Sequence, residues 1–490
     1  MSVKTVGINM LNYINGIWTA SQSDEVINSL NPADQNEIVG TVQQSSMEDL
    51  NEAVEAAKNA LPKWREMSPV QRGEFLRKAA DLLEEKADEI AEMATKEMGK
   101  VVKETKGEVL RGAAILRYYA QEGMRQVGEV LPSSNPNNML YAKRVPVGIV
   151  AVIAPWNFPI AIPIWKIAPA LIYGNTVVFK PAAETGLTAG KIVEVFDQAG
   201  LPAGVLNLVN GQGSVIGQGL VDHKDVNAIT FTGSNAVGKQ VALGAVARGA
   251  KYQLEMGGKN PVIVLEDADL NHAAELTVTG AMKQTGQRCT ATSRAYIHSL
   301  IYNEFKEKVL EKVRSLKIGN ALEEGVDLGP LSSKAQMDTV LGYIEKGKEE
   351  GAVLLTGGSV PKVEEVANGY YVEPTVFENV TNDMTIAREE IFGPVLCLVK
   401  VDSFEEAIEQ ANDTIYGLSA SLFTRDLSKA FTFVNEIEAG LVQINGETGG
   451  AEPQAPFGGM KESSSGSREQ GQAAKEFFTT VKTITITPTP

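Results

Sequence analysis

Between Gly148 and Thr232 the chain alternates short apolar, β-branched runs with stretches of helical spacing. No other feature narrows its possible folds as far. The runs are Ile149-Val150-Ala151-Val152-Ile153, Thr176-Val177-Val178-Phe179, Val205 to Val209 and Ala228 to Phe231, with helical stretches such as Leu187 to Ala199 and Val215 to Val221 between them. Apolar strands separated by helices imply βαβ units and a parallel sheet covered on both faces. Ligands of such sheets bind beyond the carboxyl ends of the strands. That puts weight on Pro155-Trp156-Asn157, Lys180-Pro181, Asn210-Gly211 and Thr232-Gly233-Ser234. A second α/β block is expected after Gly257-Gly258, with strands at Pro261–Leu265, Ser293–His298 and Pro394–Val401 and a charged helix near Asn303–Val313.

Ahead of this block, residues 9 to 40 read as short strands and turns, and Ser45 to Ala60 as a helix. Ser68-Pro69-Val70-Gln71 is a helix start, with Ser as N-cap, Pro at the first helical position and Gln three residues on. Apolar spacing carries that helix to Met98-Gly99, and another spans about Val101 to Gly123. The charges on these helices are read as a solvated face. The tail, Thr480 to Thr487, alternates apolar and polar residues as a strand does, and needs a sheet to join.

At 490 residues the chain is too long for one core. Its net charge of −16 repels phosphate backbones and anionic membrane surfaces, which argues against nucleic-acid and membrane partners. Two cysteines, Cys289 and Cys397, and three histidines form neither a disulfide framework nor a cluster with metal-ligand spacing, so no metal is expected. The start, Met1 to Thr5, lacks a basic-then-apolar signal pattern, and together with the free cysteines it points to the cytoplasm. Val147 to Ile172 is apolar enough to suggest a membrane helix, but Pro155, Pro159, Pro163, Pro169 and Lys166 argue against one.

Cys289 stands in Gly286-Gln287-Arg288-Cys289-Thr290. A cysteine taken alone is most often a buried filler. A thiol becomes a nucleophile only as its thiolate, which a neighbouring cation favours. Cys397, inside an apolar run, is expected in the core. Phe231-Thr232-Gly233-Ser234-Asn235-Ala236-Val237-Gly238 runs from a strand into a helix whose first N–H groups can hold a pyrophosphate, although it is not G-x-G-x-x-G. Leu254-Glu255-Met256-Gly257-Gly258-Lys259 sets a carboxylate beside two glycines at a strand end.

These stretches occur in one order with Pro155-Trp156-Asn157-Phe158-Pro159, Glu390-Ile391-Phe392-Gly393-Pro394 and Pro456-Phe457-Gly458-Gly459. Together they resemble the NAD(P)-dependent aldehyde dehydrogenase superfamily, over about Asn12 to Ile486. The resemblance implies an α/β chain of the aldehyde dehydrogenase fold. Its parts would be a Rossmann-like cofactor domain (1–124 and 147–256), an α/β catalytic domain (257–458) and a small β oligomerisation element (125–146 and 459–490). A homodimer or homotetramer is implied as well.

By the same resemblance, Cys289 would attack the aldehyde, and the Asn157 amide with the Cys289 N–H would hold the oxyanion. Hydride transfer would leave a thioester, hydrolysed with Glu255 as general base. The cofactor would lie against Ile153, Pro155, Trp156, Lys180, Ala183, Gly213, Phe231, Gly233, Ser234, Val237, Gly257, Glu390 and Phe392. Lys180 would meet the adenosine ribose, Ser234 the pyrophosphate and Glu390 the nicotinamide ribose. NAD-preferring members carry Glu three residues after the Lys. Here that position is Ala183, with Glu184 shifted by one, so the cofactor is expected to be NADP or NAD, with NADP favoured.

The tunnel mouth would include Phe158, Ile162, Trp165, Lys283, Arg288 and Thr290. The cations imply a carboxylate-bearing aldehyde, although Lys283 reads equally well as a solvated charge. Succinate-semialdehyde dehydrogenases carry Arg where this chain has Trp165. The stretches Pro155–Pro169, Gly286–Cys289 and Ser467–Thr479 are most similar to members acting on 2-oxoglutarate semialdehyde (2,5-dioxopentanoate), whose carboxylate Arg288 would meet. Alternatives are another semialdehyde or an aromatic aldehyde, an acylating enzyme that passes its thioester to coenzyme A, a non-catalytic protein on this fold, and a cofactor-independent acyltransferase. Glu255 argues against the acylating enzyme, and the intact set of Cys289, Asn157 and Glu255 against the non-catalytic protein. The set of Lys180, Ser234 and Glu390 argues against the acyltransferase.

Overall fold

The apolar runs become the middle of an eight-stranded sheet in a computed structural model that describes residues 4–5 and 7–489. Met1 to Val3 of the start read above for a targeting signal lie outside the described residues. Strands β1 (Ile149–Ile153), β2 (Thr176–Lys180), β3 (Leu206–Leu208), β4 (Ala228–Thr232) and β5 (Lys251–Glu255) are parallel, in the spatial order 5-4-1-2-3. Every residue of β1 and β2 is buried, which is why both are apolar almost throughout. The order reverses between β1 and β4, and that reversal opens a crevice beyond their carboxyl ends. Antiparallel strands complete the sheet: Asn12–Ile14 beside β3 with Ile17–Thr19 at that edge, and Ser464–Ser465 beside β5 at the other.

A second sheet starts after the short link Met256 to Lys259. Its parallel strands are β6 (Asn260–Val264), β7 (Thr292–His298), β8 (Thr375–Glu378), β9 (Val395–Val401), β10 (Ser419–Phe423) and β11 (Leu441–Ile444), in the order 8-9-7-6-10-11. Val353–Thr356 pairs antiparallel at one edge. Cys397 is fully buried in β9, in the core as expected. The tail strand Thr479–Ile486 finds its sheet within the same chain, antiparallel to Met139–Pro146, which pairs in turn with Gly128–Leu131.

The Ser68 capping box forms as read from the sequence. The long helix expected to follow it is two helices, Pro69–Glu85 and Ala87–Met98, broken at Lys86. Both pack on one partner, α1 (Val102–Glu122). The apolar spacing therefore continues across the break and hides it. The helix expected over Ser45–Ala60 is Met47–Glu66, and it runs through Pro62. The stretch that suggested a membrane span is β1 plus α2 (Ala161–Ile172), only 12 residues long. Among the described residues no helix is long and apolar enough to cross a membrane.

Candidate active site

The link between the sheets passes against the segment that precedes β7. Gly258 makes the contact, since a Cβ there would lie 2.5 Å from the Cys289 carbonyl oxygen. Asn260 Nδ2 donates to the carbonyls of Cys289 and Ala291, both at 2.8 Å. Upstream, Gln284, Thr285 and Gly286 are left-handed in succession, at φ 57°, 54° and 70°. For residues with a Cβ that conformation costs about 1–2 kcal/mol each. Side-chain contacts hold it in place. Gln284 Nε2 donates to the Asn157 carbonyl, Thr285 Oγ1 donates to the Gly329 carbonyl at 2.9 Å, and Gln287 Oε1 accepts the Ser332 N–H at 3.0 Å. The turn sets Cys289 in the wall of a cavity of about 770 Å³.

Burial, with Glu390 and Glu255 close by, pushes the Cys289 thiol up to about 12; Arg288 and the Thr290 N–H pull the other way without reversing it. The resting group is therefore a thiol, and a base must take its proton. Asn157 is buried, and its Nδ2 donates to the Gln287 carbonyl at 3.0 Å. A primary amide has two N–H donors, so one remains for another acceptor. Glu255 is 2% exposed. Its Oε2 accepts the Ser464 hydroxyl at 2.6 Å, and its Oε1 has no partner. Burial and the nearby Glu469 hold its carboxyl well above the usual range. Glu469 is ion-paired with Lys166 and accepts the Trp165 Nε1–H at 2.7 Å and the Thr230 hydroxyl at 3.2 Å.

The expected cofactor residues surround the crevice. Ile153 ends β1, with Pro155 and Trp156 just after it. Lys180 ends β2, donates through Nζ to the Pro181 carbonyl at 2.8 Å, and is lowered to about 8 by burial. Ala183 is half-buried and Glu184 exposed on the turn that follows. Gly213 faces open space. β4 leads through Gly233 into α3 (Asn235–Ala247). A side chain on Gly233 would meet the Phe231 ring, 2.6 Å from its Cβ. Ser234 is the exposed N-cap of α3, Val237 is exposed in the first turn, and no side chain caps the helix. Its first N–H groups are open to an anion.

Glu390 Oε1 accepts the Gly258 N–H at 3.0 Å, and burial raises its carboxyl to about 7. A Cβ on Gly257 would come 2.3 Å from Glu390 Oε2. Trp156 and Phe392 stack edge to face at 5.4 Å. An open helix start, a buried cation and a carboxylate beside the nucleophile loop form a set that fits a dinucleotide.

Phe158, Ile162, Trp165, Lys283, Arg288 and Thr290 all line the cavity. Lys283 is exposed. Arg288 is buried, donates through Nη2 to the Gly280 carbonyl at 2.7 Å, and stands 3.8 Å from Glu447 Oε2. Among the described residues no group of His, Cys, Asp and Glu could hold a metal ion.

One reading is overturned. The charges around α1 are not all a solvated face: Lys100 and Glu108 are buried as an ion pair at 2.5 Å, and Glu104 and Arg111 line the cavity. Glu108 Oε1 also accepts the N–H groups of Ile160 and Ala161, both at 2.8 Å, and so fixes the start of α2. The available signal was the spacing of Glu104, Glu108 and Arg111, which recur every three or four residues along one face of α1, with Lys100 just ahead of its start. The Lys166–Glu469 pair and the Ser464 contact with Glu255 were also missed. Their partners are far apart in sequence and leave no local pattern.

Comparisons with known proteins agree with this geometry. A model described as "Aldehyde dehydrogenase family" matches residues 18–484. The chain is 58% identical over 488 residues to alpha-ketoglutaric semialdehyde dehydrogenase of Bacillus subtilis (strain 168), with 100% of both chains covered. The fold superposes on betaine aldehyde dehydrogenase from Staphylococcus aureus in complex with NAD+ at TM-score 0.96 and 33% identity, covering 98% of this chain and 95% of that one. It superposes on 3,6-anhydro-L-galactose dehydrogenase in complex with NADP at TM-score 0.95 and 35% identity, covering 98% and 100%.

Proposed function

The chain belongs to the aldehyde dehydrogenase family, and from that premise we propose that its aldehyde is 2-oxoglutarate semialdehyde (2,5-dioxopentanoate). The full-length relative at 58% identity, which bears that substrate in its name, carries the reading. The cations in the cavity wall support it, because they favour an aldehyde that ends in a carboxylate.

In the proposed reaction Cys289 adds to the aldehyde carbon. The free N–H of the Asn157 amide and the Cys289 backbone N–H hold the oxyanion of the thiohemiacetal. Bound nicotinamide nucleotide supplies the hydride acceptor. Lys180, Ser234 and Glu390 would hold it by ribose, diphosphate and ribose in turn, with the remaining crevice residues as the surface beneath. Glu255 takes the thiol proton through water, then a proton from the water that cleaves the thioester. Its bare Oε1 supports that role. The enzyme is non-acylating in this account, since Glu255 supplies a hydrolytic base.

NADP is the favoured nucleotide. Ala183 presents no carboxylate at its own position on the turn after β2, where Glu184 stands one residue further on, and Lys180 keeps a cation there to meet a 2′-phosphate. Both edges of the three-stranded tail sheet carry exposed apolar side chains, among them Val130, Val481 and Ile486. That surface suits pairing between subunits and supports a homodimer or homotetramer. The two free thiols suit a reducing compartment, the cytoplasm.

Initial rates test the proposal, with 2-oxoglutarate semialdehyde, succinate semialdehyde, pentanal and benzaldehyde supplied at subsaturating NAD or NADP and without coenzyme A. The highest kcat/KM is expected for 2-oxoglutarate semialdehyde with NADP. A requirement for coenzyme A, or a preference for the uncharged aldehydes, would overturn the reading.

A further inference from the structure

We propose that Arg111 of α1 is the residue that receives the carboxylate of the substrate, with its Nε and one Nη gripping both oxygens. The inference rests on the reading above that the substrate is a carboxylate-bearing semialdehyde. What singles out Arg111 is how the other charges of the cavity are used. Lys103 and Lys283 line the cavity as exposed, solvated cations, Lys100 is paired with Glu108, and Lys312 with Glu275. Arg288 is committed to the Gly280 carbonyl and faces Glu447.

Arg111 is different. Among the described residues its guanidinium makes neither an ion pair nor a hydrogen bond, and its Nε is buried. The Arg288 Nε is likewise buried without a partner, but that guanidinium is already held through Nη2. Glu108 and Glu452 lie near enough to feel the Arg111 charge, but the two oxygens of Glu108 already hold Lys100 and the start of α2, and Glu452 is exposed and makes no ion pair with Arg111. A buried guanidinium without a partner is costly. In a cavity wall that cost is relieved when a carboxylate enters, and the fork of Arg matches a carboxylate with two parallel N–H bonds.

Position and orientation agree with that role. Glu104, Gly107, Glu108 and Arg111 share the face of α1 that lines the cavity. The Arg111 guanidinium sits 5.6 Å from the centre of the Trp165 ring. Trp165 is itself fixed through its N–H to Glu469, so the stack orients the fork. Arg111 and Cys289 line the same cavity and lie close enough for a thiolate at Cys289 to favour the Arg111 charge. A short-chain semialdehyde can then present its aldehyde to one and its carboxylate to the other. Trp165 becomes the platform for a cation supplied from α1.

The test is the ratio of kcat/KM for 2-oxoglutarate semialdehyde to kcat/KM for pentanal, at saturating nucleotide, in the wild type, Arg111→Leu, Arg111→Lys and Arg288→Leu. Taking the ratio cancels any loss common to all aldehydes, including a change at the thiol. In Arg111→Leu the ratio is expected to fall about 100-fold, mostly through KM for the semialdehyde, as when one member of a desolvated charge pair is removed. Arg111→Lys should recover part of it, because a point charge replaces the fork. Arg288→Leu should lose less than about tenfold. Binding of the product 2-oxoglutarate, followed by calorimetry, gives a readout independent of turnover and should weaken in parallel.

A ratio in Arg111→Leu within about threefold of wild type, or a collapse in Arg288→Leu alone, overturns the assignment. A wild type that does not favour the semialdehyde over pentanal overturns the substrate reading itself. The two failures are thereby separated.

Discussion

At the scale of single residues, the chemistry depends on two groups whose neutral forms burial favours. Cys289 rests as a thiol, and Glu255 is raised by burial and by Glu469. A carboxyl with a raised pKa is protonated below it and serves as a base only above it. The proposed role of Glu255 therefore requires kcat/KM to fall as pH drops through that raised value, on the acid side of the optimum. A pH profile of kcat/KM checks this. The acid limb should be present in wild type and missing in Glu255→Gln, whose residual rate should be at least about 100-fold lower. The same acid limb in both proteins would assign it to another group, with Glu390, raised to about 7, the first to examine. Little of this was legible beforehand. The sequence placed Glu255 at a strand end but did not show Ser464 or Glu469 beside it, more than 200 residues away.

At the scale of elements, the turn before Cys289 is proposed to seat the nucleophile and the turn after β2 to set the choice of nucleotide. Gly286 is required twice over: its φ is 70°, and a Cβ would lie 2.1 Å from the Gly393 carbonyl oxygen. Gly286→Ala should destabilise the protein by about 2 kcal/mol or more and lower kcat, read by thermal unfolding and steady-state rates. At the other turn, Ala183→Glu should shift the ratio of kcat/KM for NADP over NAD toward NAD by roughly tenfold or more, given about 1 to 4 kcal/mol for like charges 4 Å apart near a surface. An unchanged ratio would remove Ala183 from the account of cofactor choice. Strands β1, β2 and β4 were readable because strands buried on both faces leave unbroken apolar runs. The break at Lys86 was not, since both helices bury the same face on α1. The α1 charges were misread because a charge pattern alone cannot distinguish a solvated face from one that lines a cavity.

At the scale of the whole molecule, two parallel sheets are joined by the short link Met256 to Lys259. Gly258 in that link packs against the Cys289 carbonyl, and Glu255 at the end of the first sheet lies near enough for Cys289 to feel its charge. The order of motifs along the chain gave the family. The alternation of strand and helix gave the first sheet. The cavity was not readable, because α1, α2, the nucleophile turn and the loop near Glu447 meet only once the chain has folded. The central claim is that Cys289 becomes acylated by this aldehyde and is freed by Glu255. Intact-protein and peptide mass spectrometry of Glu255→Gln, mixed with 2-oxoglutarate semialdehyde and NADP, tests it most directly. One 2-oxoglutaryl group should accumulate on the peptide that contains Cys289, matched by one equivalent of reduced nucleotide per subunit and absent from the wild type after turnover. Reduced nucleotide formed with no acyl group on Cys289 would contradict the account.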